Sequence, residues 1–296
     1  MVSLNPALFN AFLSGNVNGL NYGPSSYGNA QASPFANLAQ AGVIGDSWLD
    51  NNIGLDGFSG VEAGIGGAGS DIIQMGGNFN KQAGFGLDGN DIFKLFGNNN
   101  IQAALGGSGN DLFKLFGNDN KQFVNTGSGN DVIRAGGSGN IRNLDLTQYG
   151  NKRVRLGGSN NRNQVTFGDG NNVARSAGTS NSDRIKAGAG NDLYNLTGDD
   201  NHIKANLGAG INTTHVTGNR NVGSISGTDG NNRIVIDGQG NVLRLKDIDN
   251  LSFGQNAKDN SVILRNNKGI AIPAGFTKTA DPDVYKDAKG NKIRLS

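Results

Sequence analysis

The sequence contains no cysteine and only two histidines, His202 and His215. The absence of cysteine excludes disulfides, thiolate metal sites and a cysteine nucleophile. The two histidines stand apart, with no nucleophile at a motif spacing, so we expect both to lie on the surface of a protein that is not an enzyme. No apolar run approaches the roughly 20 residues that span a bilayer, so no membrane span is expected.

Proline and charge are also scarce. The 296 residues include 5 prolines, 17% charged residues and 35% hydrophobic residues, whereas glycine is abundant at 49 residues. The glycines follow no Gly-X-Y period, which excludes collagen. Such a small apolar share cannot fill a thick core, so the chain must either remain disordered or fold around a thin interior.

A long internal repeat favours the thin interior. Written in tens, residues 71–140 read DIIQMGGNFN, KQAGFGLDGN, DIFKLFGNNN, IQAALGGSGN, DLFKLFGNDN, KQFVNTGSGN and DVIRAGGSGN. Each row has about five alternating residues and then a Gly/Asn turn, the pattern of a strand with one buried face. Odd and even rows differ, so one coil holds two strands and two turns. The sequence therefore predicts an all-β fold, a parallel two-sheet β-solenoid with about 20 residues per coil.

Asparagine recurs in the turns at the same period. One series consists of Asn80, Asn100, Asn120, Asn140, Asn161, Asn181, Asn201, Asn221 and Asn241. A second series consists of Asn90, Asn110, Asn130, Asn151, Asn171, Asn191 and Asn231, with Ile211 in the one odd place. We expect the first series to form a ladder in which each Asn takes a left-handed conformation and pairs its amide with the Asn above and below. Each series has one 21-residue step, which predicts a bulge near residues 141–150.

The strand positions keep the same register and predict three inward columns of mostly aliphatic or small side chains. The first is Ile73, Phe93, Phe113, Ile133, Val154, Ala174, Tyr194, Thr214 and Ile234. Its neighbour is Met75, Leu95, Leu115, Ala135, Leu156, Ser176, Leu196, Val216 and Ile236. The opposite sheet supplies Leu144, Val165, Ile185, Ala205, Ile225 and Leu245.

The repeat divides the chain into three regions. Residues 1–60 are rich in Asn, Gly and Ser, with Trp48 among scattered apolar residues, and are expected to form a cap or an interaction arm. Residues 61–250 are the predicted solenoid. Residues 251–296 lose the repeat and predict a C-terminal β cap or assembly segment, with strands SVILR and IAIPAGF and a final hairpin that turns at residues 289–291.

Several turns resemble the nonapeptide G-G-x-G-x-D-x-U-x of the RTX family of β-roll proteins. Residues 66–74 (GGAGSDIIQ) and 106–114 (GGSGNDLFK) match it in full, and residues 87–94, 126–134 and 187–195 match it in part, although the half-repeat here has ten residues instead of nine. The resemblance implies Ca²⁺ bound between coils by turn carbonyls and by Asp71, Asp91, Asp111, Asp131 and, separately, Asp192. The alternative is that Asp simply follows Asn in a solvated turn.

A row of basic residues is expected to point outward from one sheet. It consists of Lys94, Lys114, Arg134, Arg155 and Arg175. Like charges on neighbouring strands repel. Such a row suits an acidic polysaccharide, a lipopolysaccharide or an acidic partner subunit, and the alternative is a solvated face. Aromatic residues do not interleave with the row as they do in single-stranded nucleic-acid binders, so we expect no specific nucleic acid.

Three functional hypotheses follow. The leading one is a non-enzymatic structural protein that assembles head to tail into a filament, sheath or surface layer, because solenoid ends expose strand edges. It also reflects the charges: residues 1–80 carry five acidic residues and no basic one, whereas residues after 251 carry eight basic residues against four acidic ones. The alternatives are an RTX-like calcium-binding adhesin and a protein whose composition resembles that of harpins, which type III systems secrete. We expect an extracellular or bacterial cell-surface protein, exported without a cleaved N-terminal signal.

Overall fold

The computed structural model describes residues 30–31, 40–45, 49–57, 59–228, 231–266 and 270–296, and in these residues it contains strands and no helix. Most of the predicted N-terminal arm, with Trp48, lies outside the described residues. The strands are β1 Ala30–Gln31, β2 Gln40–Ile44, β3 Asn52–Leu55, β4 Val61–Gly67, β5 Ile72–Met75, β6 Lys81–Asp88, β7 Ile92–Leu95, β8 Ile101–Ser108, β9 Leu112–Leu115, β10 Lys121–Ser128, β11 Val132–Ala135, β12 Ile141–Leu146, β13 Arg153–Leu156 and β14 Arg162–Phe167. They continue with β15 Val173–Ser176, β16 Ser182–Lys186, β17 Leu193–Thr197, β18 His202–Asn206, β19 Thr213–Thr217, β20 Val222–Ser226, β21 Arg233–Asp237, β22 Val242–Lys246, β23 Asn250–Phe253, β24 Ser261–Arg265, β25 Thr277–Lys278, β26 Val284–Lys286 and β27 Lys292–Leu295.

The strands alternate between two sheets that stack along one axis. Sheet A has the order β2-β4-β6-β8-β10-β12-β14-β16-β18-β20-β22-β24-β27-β26-β25, and sheet B contains the odd-numbered strands from β1 to β23 in sequence order. Neighbours up to β24 and β27 are parallel, and equivalent residues are mostly 20 apart, as in the pairs Phe93↔Phe113 and Val124↔Ala104. This confirms the predicted two-sheet parallel solenoid, which has about eleven turns.

The three predicted inward columns form the core between the sheets. All of their members are buried, and the Phe93 and Phe113 rings stack with their centroids 4.6 Å apart and their planes within 4°. The stack exists because side chains at equivalent positions of parallel strands lie directly above one another. Alternation along each strand therefore identified the buried face correctly.

The asparagine ladder joins the coils, but not in the predicted way. The Asn120 side-chain oxygen accepts a hydrogen bond from the backbone N–H of Asn100 at 2.8 Å, and its amide donates to the Gly97 carbonyl at 2.8 Å. The ladder thus connects side chains mainly to the backbone, whereas amide-to-amide pairing was predicted. The left-handed conformation also falls on the preceding residue, as at Asn99 (φ 58°) and Asp119 (φ 56°). The residue before the ladder Asn therefore adopts the left-handed conformation of the turn, and the ladder Asn hydrogen-bonds that turn to the adjacent coil.

The single inserted residue lies in a turn. Lys121 pairs with Ile141 at a spacing of 20, and Val132 pairs with Arg153 at a spacing of 21. The extra residue therefore enters after β12, in the turn that contains Tyr149, which is 83% exposed. The predicted location was correct, but the strand bulge was not, because a surface turn accepts an extra residue without breaking a row of strand hydrogen bonds.

The solenoid extends beyond the predicted limits of 61 and 250. Strand β3 stacks in parallel on β5, and β24 stacks in parallel on β22 and β27. The final hairpin of β26 and β27 is confirmed. The predicted strand over 270–276 is wrong: this segment is irregular, and Phe276 packs against Phe253 at 5.1 Å between ring centroids.

A polar column inside sheet A was not predicted. It consists of Glu62, Gln82, Gln102, Gln122, Arg142, Asn163 and Asp183, all buried. Each glutamine amide donates to the side chain one coil before it, and Arg142 donates to Gln122 at 3.1 Å and to Asn163 at 3.2 Å. Asn163 in turn donates to Asp183 at 2.8 Å, so a continuous chain of hydrogen bonds connects the buried cation to a buried carboxyl. The recurrence of Gln at a period of 20 was the available signal.

Candidate cation site

The five candidate aspartates all lie in one column at one edge of the solenoid. Each is at most 2% exposed, so the alternative of a solvated turn is wrong. In order along the axis, the column is Asn51, Asp71, Asp91, Asp111, Asp131, Lys152, Asn172, Asp192, Asn212 and Asn232. The structure thus places Asp192, which was predicted separately, in the same column as the other four.

One carboxylate oxygen of each Asp has a structural role. Asp111 Oδ1 accepts from the backbone N–H of Asp91 at 2.8 Å, and Asp131 Oδ1 accepts from Asp111 at 2.9 Å. This is the bond that the Asn ladder makes at the other edge. Asp and Asn are interchangeable for this oxygen, because both present an acceptor on a side chain of the same length.

The Asn and Asp positions of the column differ in the second polar atom of the side chain, which is an amide nitrogen in Asn and Oδ2 in Asp. The Asn172 amide donates to the carbonyls of Gly168 at 3.2 Å and Gly170 at 2.9 Å, four and two residues before it. The Asn212 amide makes the same two contacts, to Gly208 and Gly210. An Asp has only an oxygen at this place, and a deprotonated carboxylate cannot donate to the two carbonyls.

Lys152 shows what such an oxygen cluster attracts. Its ammonium nitrogen lies 2.5 Å from Asp131 Oδ2, and it donates to the carbonyls of Gly127 at 2.7 Å, Gly129 at 2.8 Å and Tyr149 at 3.3 Å. Gly127 and Gly129 stand four and two residues before Asp131, the same spacing as the carbonyls that Asn172 contacts. A cation therefore binds where one carboxylate oxygen and three carbonyl oxygens converge.

The other aspartates have no such partner. Oδ2 of Asp71, Asp91 and Asp111 is buried without a hydrogen bond to any described residue, whereas the buried carboxyl of Asp192 has the Tyr194 hydroxyl beside it. A Cβ added to Gly66, Gly86 or Gly106 would collide with the Oδ2 of the Asp five residues later, so glycine keeps the space beside three of these oxygens open. Buried polar atoms are normally paired, so these oxygens call for a proton or a cation.

Burial shifts the titration of these carboxyls. It raises the pKa of Asp91 and of Asp111 to about 7, and the charge of neighbouring carboxylates adds to the rise. It raises the pKa of Asp192 to about 6, against a hydrogen bond from the Asn172 backbone. The pKa of Asp71 is also raised by burial. Burial therefore disfavours the charged form of each of these carboxyls, which a proton or a bound cation would neutralise.

The donor set fits Ca²⁺. Carboxylate and carbonyl oxygens are the ligands this ion prefers, and it tolerates irregular geometry with water completing the shell. No group of three or more acidic, histidine or cysteine side chains that could hold a metal occurs among the described residues, so each site would combine one carboxylate with main-chain oxygens. The residues that would hold the ion are Asp71, Asp91, Asp111 and Asp192, whereas Lys152 already neutralises Asp131.

Comparison with known proteins gives no family for this chain. No family model, curated protein or solved structure matches it. In the described part of the chain, no helix is long and apolar enough to cross a membrane.

The predicted basic row is in register on sheet B. The pairs Lys94↔Lys114, Arg134↔Arg155 and Arg155↔Arg175 place its five members on consecutive strands, as the period of 20 predicted. His202 is exposed on sheet A, and His215 is half-buried on sheet B between Asn195 and Val235, so the two histidines do not meet. The role of Lys152 as a bound cation was not predicted from the sequence.

Proposed function

We propose that this chain is a non-enzymatic, exported rod whose Asp-lined edge binds Ca²⁺ between coils, as a structural or adhesive module. The run of orphaned Oδ2 atoms at Asp71, Asp91 and Asp111, beside a fourth Asp whose Oδ2 binds a lysine ammonium, is the observation that supports it. Bound Ca²⁺ would neutralise carboxylates that burial otherwise disfavours, and so would stabilise the folded rod.

A calcium titration of the full chain tests this proposal. Ca²⁺ binds only the folded column, so the melting temperature should rise with Ca²⁺ concentration. Mg²⁺ at the same ionic strength is the control, because it demands octahedral geometry and gives up its water reluctantly. Equal melting curves in chelator and in millimolar Ca²⁺ at pH 8 would refute the proposal.

Head-to-tail assembly is the second candidate function, and the sheet edges favour it. Among the described strands, β1 and β2 each pair on one side only, and so does β23 at the other end of sheet B. Sheet A instead ends in the antiparallel hairpin and the two-residue strand β25, a short edge that resists further pairing. Assembly would therefore use sheet B.

Charge steers this assembly less than the composition suggests. Of the five acidic residues in 1–80, Glu62 and Asp71 are buried, and burial raises the pKa of both. Light scattering of the full chain at rising concentration, at low and high salt, tests the assembly. Growing particles support it, and a constant monomer mass in both salts would leave the monomeric calcium-binding rod as the function.

A further inference from the structure

The outward face of sheet B carries an uninterrupted line of cations. Its members are Lys94, Lys114, Arg134, Arg155 and Arg175, one per coil, and we call them the cation column. With about 4.8 Å between neighbouring strands, the five positions span about 19 Å along the axis. Arg134, Arg155 and Arg175 are exposed, and Lys94 and Lys114 are half-buried.

The cation column has no carboxylate partner among the described residues. Ion pairs elsewhere join Arg220 to Asp200, Lys246 to Asp247 and Arg294 to Asp281. Within the cation column, the contact that exists is from Lys94 to the Gln74 side-chain oxygen at 2.9 Å. Strands β5 to β15 of sheet B contain no acidic residue, because the acids of this region lie in the turns and on sheet A.

Such a line has an electrostatic cost. Like charges directly opposite on neighbouring strands destabilise a sheet, and here four successive pairs repel. A ligand with evenly spaced negative charges would remove this repulsion along the whole line. Since the strands of the sheet follow one another at equal steps, the ligand that fits is extended and carries its charges at a regular interval.

Two exposed aromatic rings accompany one end of the cation column. Phe96 and Phe116 follow Lys94 and Lys114 by two residues, which puts them on the outward side at the end of the same strands. They are 38% and 47% exposed. Flat apolar rings beside cations suit a sugar ring that bears a carboxylate. A single-stranded nucleic acid would need aromatics along its whole path, and Arg134, Arg155 and Arg175 have none beside them.

We infer that the cation column binds a linear acidic polysaccharide with a carboxylate on each sugar, laid along the axis of the rod. A pyranose unit is about as long as one coil is high, so the carboxylates of such a chain repeat along its axis at an interval close to that of the cations. The Phe96 and Phe116 rings contact the apolar faces of the sugars at one end. The column lies on a sheet face, away from the Asp-lined edge, so this inference is independent of calcium binding.

The test uses oligogalacturonates of increasing length as probes for the full chain, with affinity measured by calorimetry at low salt. Affinity should rise with length until the oligomer covers all five cations, and it should fall as salt is added. The variant Lys114→Gln/Arg134→Gln/Arg155→Gln should bind roughly tenfold or more weakly, because it removes three of the five cations that would pair with the ligand. Its melting temperature should stay equal or rise, since repulsion is relieved.

The matched control removes three cations from the opposite sheet. Arg184, Lys204 and Arg244 are exposed on sheet A, so Arg184→Gln/Lys204→Gln/Arg244→Gln changes net charge equally. It should leave affinity within about twofold of that of the unchanged protein. Equal losses in both variants would show non-specific attraction and overturn the inference. So would tighter binding of a thymidine oligonucleotide of matched charge, or equal binding of a neutral glucose oligomer.

Discussion

The Lys152 ammonium lies 2.5 Å from Asp131 Oδ2, and both side chains are completely buried. This pair is the one place among the described members of the Asp column where the protein supplies its own cation. Removing one partner of a buried ion pair leaves an uncompensated charge, which is far more costly than replacing both.

Lys152→Met should therefore destabilise the folded chain by about 3–5 kcal/mol, measured by denaturant unfolding in chelator. The double variant Asp131→Asn/Lys152→Met should recover most of this loss. The amide that this change introduces at position 131 can donate to the Gly127 and Gly129 carbonyls, as Asn172 does to its own turn. If the double variant is no more stable than the single one, Lys152 does not act through Asp131.

Asp111→Asn should stabilise the chain in chelator and reduce its calcium response. The amide would keep the acceptor for the Asp91 N–H and would supply a donor for the carbonyls four and two residues before it, as the Asn172 amide does in its own turn. A gain of about 1–3 kcal/mol is expected from satisfying a buried polar group. Asp283→Asn, at an exposed turn residue of the C-terminal segment, is the control and should change neither quantity. A destabilised Asp111→Asn protein with a full calcium response would contradict the proposed site.

Stability in chelator should fall as pH rises. Burial raises the pKa of Asp91 and Asp111 from the ordinary value of 3.8 to about 7, so the folded chain binds more protons than the unfolded chain between about pH 4 and 7. Stability therefore decreases across that range and reaches its lower level above pH 7. Thermal melts from pH 4.5 to 8 measure this slope, and saturating Ca²⁺ should flatten it above pH 6. A chelated protein that melts highest at pH 8 would be inconsistent with these shifts.

Phe113→Ala should cost about 3–5 kcal/mol of unfolding free energy, because it removes one ring of a fully buried stack and leaves a cavity. Phe116→Ala is the matched control, because Phe116 lies three residues further along the chain, directly after the strand that contains Phe113. Phe116 is 47% exposed, so its loss should cost less than about 1 kcal/mol. Urea unfolding of both variants makes the comparison, and similar costs would mean that the Phe93–Phe113 stack does not contribute as the packing indicates.

The sequence predicts the architecture well because one 20-residue period recurs in the strands, the turns and the core positions together. Alternation identifies Phe113 as buried, and the 20-residue step places Phe93 beneath it. The same reasoning missed the buried Gln column. A polar residue such as glutamine is normally assigned to the solvent face of a strand, and only its recurrence every 20 residues indicates that its copies stack and hydrogen-bond inside the solenoid.

The cation site was predictable only in part. The nonapeptide pattern places Asp71 and Asp111 in one column, as the structure does, but no pattern shows which oxygen of a carboxylate is paired. The unpaired oxygen is recognised by comparing the Asp positions with the Asn positions of the same column. At Asn172, the atom in the equivalent place is an amide nitrogen that donates to the Gly168 and Gly170 carbonyls. The role of Lys152 likewise could not be predicted from a local sequence pattern, because its ammonium contacts Asp131, which lies 21 residues earlier in the chain.

The asparagine ladder also fixes the unit by which such a rod could change size. From Gly60 onward, the Asn-to-backbone bond recurs from coil to coil, until Asn291 closes the series by donating its backbone N–H to Asp287 in its own hairpin. Duplication or loss of one complete 20-residue coil would recreate an existing junction, whereas a change of ten residues would exchange the two sheets. A change in length by whole coils would therefore preserve the ladder up to its junction with the terminal hairpin.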